Sequence, residues 1–377
     1  MKKWKKIKLG DCIEEVVEKT IINNQYKVLS VTKDGIFSQE EFFKKQIASE
    51  NNIGYKVIRK NNLVFSTMNL WMGSLDVLTN HDIGIVSPAY KVFKFNEEVM
   101  LPSFGNYYMK SYYMLEQYKN FSEQGASIVR RNLDLKSLLN ISIKIPCIKE
   151  QERIVSLLKK VDKIILQITN NITEMQNLKK SVMNNYFEEQ INNGVKLKEK
   201  CNFFSGGTPD SKNKNFYDGD IPFIRSAEID KEKTELFINK LALSSSSAKM
   251  VNRGDLLLAL YGANSGNVAI SKINGAINQA ILCIRSDNIN IEYLKYLLEY
   301  DKQNIINKYL QGGQGNLSAE IIKNLKYKIP DTKKQLEVVN VLDLITKIIN
   351  TNNEKKETYN NLKKSLMQKL LTGKIRI

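Results

Sequence analysis

Residues 140–155 read NISIKIPCIKEQERIV, and residues 324–339 read NLKYKIPDTKKQLEVV. Further along, LKKSVM at 178–183 returns as LKKSLM at 362–367. Gln151 and Gln335 lie 184 positions apart, as do Leu178 and Leu362, so the stretch between these anchors carries no net insertion. The same offset pairs Leu158 with Leu342, Lys163 with Lys347 and Asn177 with Asn361, and backwards it pairs Asn132 and Leu133 with Asn316 and Leu317. Self-similarity at a fixed period marks a chain assembled from repeated structural units. The order is a variable block and then a repeated block, twice over.

Each repeated block follows an Ile-Pro pair, at Pro146 and Pro330. Proline suits the turn ahead of a helix and disfavours helix in the residue before it. Beyond Pro146, Ile154, Val161, Ile168, Met175 and Val182 recur every seven residues. Leu158, Ile165, Ile172 and Tyr186 fill the complementary positions, with Lys179 the one break. Two interleaved heptad rows predict a coiled-coil seam. The second copy repeats Val338, Ile345, Tyr359 and Leu366 with Leu342, Ile349 and Leu370, interrupted by Asn352, Lys356 and Lys363.

A helix of about 40 residues runs about 60 Å and needs a partner over its apolar stripe. The expected fold class is therefore α+β. Two globular mixed α/β domains, 1–146 and 191–330, are separated by two long repeat helices, 147–190 and 331–377. These form an antiparallel coiled coil with a pseudo-twofold internal repeat. Apolar residues off the seam (Val155, Leu157 and Ile164; Val339, Leu344 and Ile348) point to further helices docking from outside.

Within the variable blocks, NLVFSTM (62–68), YKVFKF (90–95), GDLLLALYG (254–262) and NQAILCIR (278–285) read as strands. Residues 109–118 and 291–300 read as helices with tyrosine-rich faces. Tyrosines at helical spacing are first of all core, with base stacking the second reading. A polar segment follows each helix, FSEQGASIVRRN at 121–132 and YLQGGQGNLS at 309–318. Gln, Asn and Arg are the side chains that read adenine and guanine edges. Gln124, Ser127, Arg130 and Arg131 in the first segment, and Gln311, Gln314 and Asn316 in the second, are therefore candidate DNA contacts. A plain solvated loop is the alternative. Thr208, Lys212, Arg225 and Asn264 of the second block complete the candidate set.

The chain has 377 residues, 42% of them hydrophobic, and a formal charge of +17. That charge favours a polyanionic partner through phosphate neutralisation, although a ribosome-associated or membrane-surface protein can share it. Cys12, Cys147, Cys201 and Cys283 are widely spaced and read as buried thiols rather than a disulfide framework or a zinc site. One histidine, His81, leaves no metal cluster and no His-dependent triad. The chain has no P-loop sequence and no Pro-Pro pair of an adenine methyltransferase motif. Pro330-Asp331 with Glu354-Lys355-Lys356 loosely matches a PD…ExK nuclease site, but Cys147 replaces Asp331 in the first copy. The N-terminal basic residues precede no apolar core, and no apolar run is long enough to span a bilayer. No membrane association and a cytoplasmic location are expected.

Several segments together resemble one family, the specificity subunits of type I restriction-modification systems. WKKIKLGD (4–11) resembles the opening of a target-recognition domain of that family. FFSGGTP (203–209), GDIPFIRSAEI (219–229) and VNRGDLLLALYGANSG (251–266) are similar to its recurring pattern in order and spacing. LKKSLMQKLLTGKIRI (362–377) is similar to its usual C-terminal ending. The first block departs: it lacks the SGGTP and IPFIR segments and keeps only the layout of IRKNNLVFSTM (58–68) and SPAYKVF (87–93).

The resemblance implies that each domain reads half of a bipartite site in double-stranded DNA while the helices fix the gap. It implies two methyltransferase subunits and, for cleavage, ATP-dependent restriction subunits. S-adenosylmethionine, Mg²⁺ and ATP would be bound by those partners and none by this chain, which would have no catalytic residues. A stand-alone DNA-binding regulator and an unrecognised nuclease are the alternatives.

Overall fold

The computed structural model describes residues 4–32, 35–40, 51–124, 131–309 and 316–377. The chain divides into two compact units, Met1–Thr169 with Glu354–Ile377, and Asn170–Asn353. Two long helices pass through both, Ile148–Phe187 and Thr332–Leu370. Neither contains glycine or proline. The second is started by Asp331, whose carboxylate accepts the Lys334 N–H at 2.9 Å.

In the first unit, Ile154, Val155 and Leu158 share a core with Leu370 and Leu371. In the second, Met183 and Phe187 share a core with Val338, Val339 and Leu342. The start of one helix meets the end of the other in each unit, so the pair is antiparallel in both.

Each unit carries the same sheet plan. The first has a four-stranded antiparallel sheet in the order Ile13–Glu15, Tyr90–Phe95, Leu63–Ser66, Leu75–Val77. Its counterpart in the second is Asn202–Ser205, Ile281–Arg285, Leu256–Ala259, Val268–Ile270. A two-stranded ribbon leads to each long helix: Lys5–Lys8 with Ser142–Ile145, and Ile191–Lys196 with Lys326–Tyr327. A further sheet of the second unit, Leu236–Ile238, Ile221–Ile224, Gly275–Ile277, Lys249–Val251, contains one parallel pair, Phe223 beside Ala276. The first unit has this arrangement in pieces: a hairpin of Leu29–Thr32 and Gly35–Ser38, a pair of Lys56–Arg59 and Ile83–Val86, and a parallel bridge from Val28 to Ile85. Strand 29–32 thus stands where the missing IPFIR segment would be.

Several expectations change in detail. Residues 109–118 are not one helix: Pro102–Met109 and Tyr112–Asn120 are separate, because Ser111 turns out of the helix and caps the second through the Met114 N–H. Cys12, Cys201 and Cys283 are buried but Cys147 is exposed, and all four are free. Burial pushes the thiols of Cys12 and Cys283 up to about 12, which makes them inert.

The buried row of the central helix also leaves the heptad. Ile154, Val161 and Ile168 are buried, but Met175 and Val182 are only half-buried, and Met183 takes the buried position instead. Met183 is buried because it packs in the core of the second unit, where Val182 also lies partly covered. On the second helix Val338, Leu342 and Ile345 are buried and Leu366 is half-buried. Val155 and Val339 belong to their own units' cores, whereas Leu344 and Ile348 are exposed.

Candidate nucleic-acid interface

In the second unit the FFSGGTP segment leaves strand 202–205 by passing hard against its neighbours. A Cβ on Gly206 would lie 1.7 Å from the Ile277 carbonyl oxygen, and one on Gly207 2.5 Å from the Ser247 Cβ. Only glycine permits this approach. It lets Gly206 N–H donate to Asn278 O, and it brings Thr208 to Gln279, to which its hydroxyl donates at 2.7 Å. Leu260 N–H donates to Ala280 O, and Leu317 N–H to Leu260 O. These bonds stitch four segments into one rim: 206–208, 278–280, 260–267 and 316–317.

Thr208, Asn264 and Asn316 therefore lie on segments joined to one another by hydrogen bonds, with Thr208 and Asn316 exposed and Asn264 half-buried. Asn264 accepts from the Asn267 side chain at 3.3 Å. The rim also exposes Gln279 and Tyr261, which the sequence reading missed. Gln279 sits in a segment that reads as the start of a strand, and its contact with Thr208 spans 71 positions, so no local pattern points to it. Lys212 is exposed on the turn that follows, its backbone N–H held by Asp210.

Arg225 occupies a different role from a free base reader. It follows strand 221–224 and donates to Glu228 at 3.0 Å and to Glu235. The Glu228 carboxylate also accepts the backbone N–H groups of Arg225 and Glu235, closing the 225–235 loop. The hydrogen bond to Glu228 raises the Arg225 pKa, and that to Glu235 adds to it. The guanidinium is committed to organising this loop.

In the first unit, Gln124 and Arg131 are direct cross-strand partners in a ribbon of Ser122–Gln124 and Arg131–Leu133. Ser127, Arg130, Gln311 and Gln314 lie outside the described residues. Of the tyrosine-rich helices, Tyr108, Tyr118, Tyr293 and Tyr296 are core, while Tyr112 and Tyr113 are exposed.

Among the described residues no group of three or more His, Cys, Asp or Glu side chains is placed to hold a metal ion. Asp331 is spent on capping its helix, and Glu354 is exposed on that helix more than twenty residues further along the chain. Among the same residues no helix is long and apolar enough to cross a membrane.

A family model described as the type I restriction modification DNA specificity domain matches residues 1–175 and again 192–361. The type I restriction enzyme MjaVIII specificity subunit of Methanocaldococcus jannaschii is 24% identical over 417 aligned positions, covering 99% of this chain and 93% of that protein. The EcoR124I/EcoR124II specificity subunit of Escherichia coli is 24% identical over 229, covering 55% and 56%. Among solved structures, the type I restriction-modification S subunit from M. genitalium aligns with a TM-score of 0.60 at 12% identity, over 97% of this chain and 96% of that one. A chain from a structural study of type I R-M complex assembly and conformational transition gives 0.64 at 17% identity, over 100% and 99%.

Proposed function

Because the chain belongs to the type I restriction-modification DNA specificity family, we propose that it reads a bipartite, gapped site in double-stranded DNA, one half through each unit. The observation that carries this reading is the duplicated unit itself. The same sheet plan occurs twice, on one antiparallel helix pair, while the sequences of the segments that would meet bases differ. Two different readers on one repeated frame suit an asymmetric split site. Thr208, Gln279, Asn264 and Asn316 are the base-edge candidates of the second unit, and Gln124 and Arg131 those of the first. Lys212 and the surplus of basic residues supply phosphate contacts that position without specifying.

Two methyltransferase subunits dock on the long helices, and restriction subunits join for cleavage. S-adenosylmethionine, Mg²⁺ and ATP belong to those subunits, and this chain contributes recognition rather than catalysis. The exposed Leu344 and Ile348, with Val341 beside them on the C-terminal helix, support a partner there.

Methylation profiling of genomic DNA from a methylation-free host tests the reading. The host would express this chain with the methyltransferase encoded beside it. A gapped, asymmetric adenine-methylated motif that disappears without this chain is expected. A soluble complex that yields no motif would favour a stand-alone regulator.

A further inference from the structure

The repeated LKKS segments put a lysine where the seam expects an apolar residue, Lys179 in one copy and Lys363 in the other. Both lysines are largely covered, at 17% and 31% side-chain exposure. Each stands over a tyrosine of its own unit's recognition domain. Lys363 Nζ lies 5.7 Å from the centre of the Tyr107 ring, and Lys179 Nζ lies 5.1 Å from that of Tyr296. The Tyr107 hydroxyl donates to Asp162 on the central helix, and the Tyr296 hydroxyl donates to Asp343 on the C-terminal helix at 2.6 Å. Lys363 closes the first triad with an ion pair to Asp162 at 2.6 Å. In the second, Lys179 pairs with Glu299 at 3.1 Å rather than with Asp343, and Lys295 also stands over the Tyr296 ring, at 3.9 Å.

The two arrangements are reciprocal. In the first unit the lysine comes from the C-terminal helix and the acid from the central one; in the second these are exchanged. Thr346, the repeat equivalent of Asp162, lies 3.4 Å from the Tyr296 hydroxyl. The same tyrosine is thus received one turn away by a different acid.

A second attachment is also duplicated. Gln151 and Gln335 are fully buried near the helix starts. Gln151 accepts the Leu101 N–H at 2.9 Å, and Gln335 accepts the Asn290 N–H at 2.8 Å. Both donate to the carbonyl of the preceding proline, Pro146 or Pro330. Leu101 and Asn290 immediately precede the helices that carry the two tyrosines. Each domain is therefore held at a glutamine and, along the same helix pair, at a Tyr–Asp–Lys triad. The eight residues from Gln335 to Asp343 span about 12 Å, and the eleven from Gln151 to Asp162 about 16 Å.

A shared apolar core also seats each domain on the helices, and the triads add a polar contact further along them. Beside each triad there is open space into which a domain can tilt. A cavity of about 500 Å³ is lined by Tyr112, Lys364 and Met367, and one of about 320 Å³ by Lys180, Met183 and Tyr300.

We propose that Lys363–Tyr107–Asp162 and Lys179–Tyr296–Asp343 are paired latches that fix the angle of each DNA-reading domain on the helices, and so set the gap length the protein accepts. This rests on the two-reader function above. Lys179 and Lys363 are positioning residues: loosening a latch changes gap tolerance and leaves the half-site sequences alone.

The test profiles methylation by the full complex carrying Tyr107→Phe, Lys363→Met, Lys179→Met or the conservative Lys363→Arg. Sites with the native gap are compared with sites one base pair longer or shorter. Tyr107→Phe and Lys363→Met should raise the relative methylation of off-gap sites about fivefold, through loss of a charge-assisted hydrogen bond or a cation–π contact, and Lys179→Met, which leaves Lys295 over Tyr296, should raise it less. Lys363→Arg should keep the wild-type ratio. An unchanged ratio in a variant that forms a normal complex, or altered half-site sequences, would overturn the proposal. If the wild type yields no gapped motif, it is the functional reading that fails. The latch is then judged by amide exchange in the full chain: Lys363→Met must speed exchange in 102–109, and no change there overturns it.

Discussion

Glu150 lies in the first turn of the central helix and collects three hydrogen bonds. Trp4 Nε1 donates at 3.2 Å, and Arg376 donates at 2.9 and 2.7 Å through Nε and Nη2. The Arg376 hydrogen bonds hold the Glu150 carboxyl below its usual value of 4.5, against the opposing effect of burial. A carboxyl whose pKa falls on folding stabilises the fold fully above its unfolded value, and the contribution disappears as pH drops through the folded value. Replacing Glu150 with Gln should therefore lower Tm at neutral pH, and the two proteins should converge below 4.5. Thermal denaturation from about pH 7 to about pH 3 checks this, and a pH-independent difference would mean the charge is irrelevant. Nothing local in the sequence announces this contact, because Glu150 and Arg376 are 226 positions apart. Gln151 beside it was legible as a repeat anchor, yet its job, hydrogen-bonding a domain to the helix, follows only from the fold.

Along the helices, burial separates residues that hold this chain together from residues free to meet something else. Leu342 is fully buried, whereas Leu344, two positions on, is 60% exposed. Leu342→Ala should cost about 2–5 kcal/mol through lost burial and a cavity. Leu344→Glu should leave the denaturation midpoint nearly unchanged and weaken copurification with the methyltransferase subunit. Loss of stability in the second variant, with the complex intact, would remove the docking argument. Helices and their apolar residues were readable because their period is local, and Pro146 and Pro330 mark their starts. The heptad row is buried at Ile154, Val161 and Ile168, while further on Met183 is the covered residue because the second unit's core meets the helix there, which no local period announces. The sheets were readable only as separate runs. Strand 29–32 could not be recognised as the stand-in for IPFIR, because its place is defined by pairing with residues near 85, far along the chain.

At the scale of the molecule, duplication makes recognition modular. Each unit keeps its attachments on repeated positions: Gln151 and Gln335, Lys363 and Lys179. The partners those positions require from a domain are few: a backbone N–H ahead of a helix, as at Leu101, and a tyrosine on that helix, as at Tyr107. A foreign recognition block that supplies both, with an apolar face for Ile154, Leu158 and Leu370 and a donor in the place of Trp4, should seat on the helices without further change. Replacing residues 1–146 with the corresponding block of another family member should then alter one half of the methylated motif and leave both the other half and the gap intact. A donor block carrying phenylalanine at the position of Tyr107 should give the same new half-site with a looser gap, and restoring tyrosine there should tighten it. Sequencing the methylated motifs of the three chimaeras decides the matter. If both halves change together, recognition is shared between the units and the modular account is wrong. If the gap follows the donor block regardless of the tyrosine, the domain surface rather than its attachment to the helices sets the spacing.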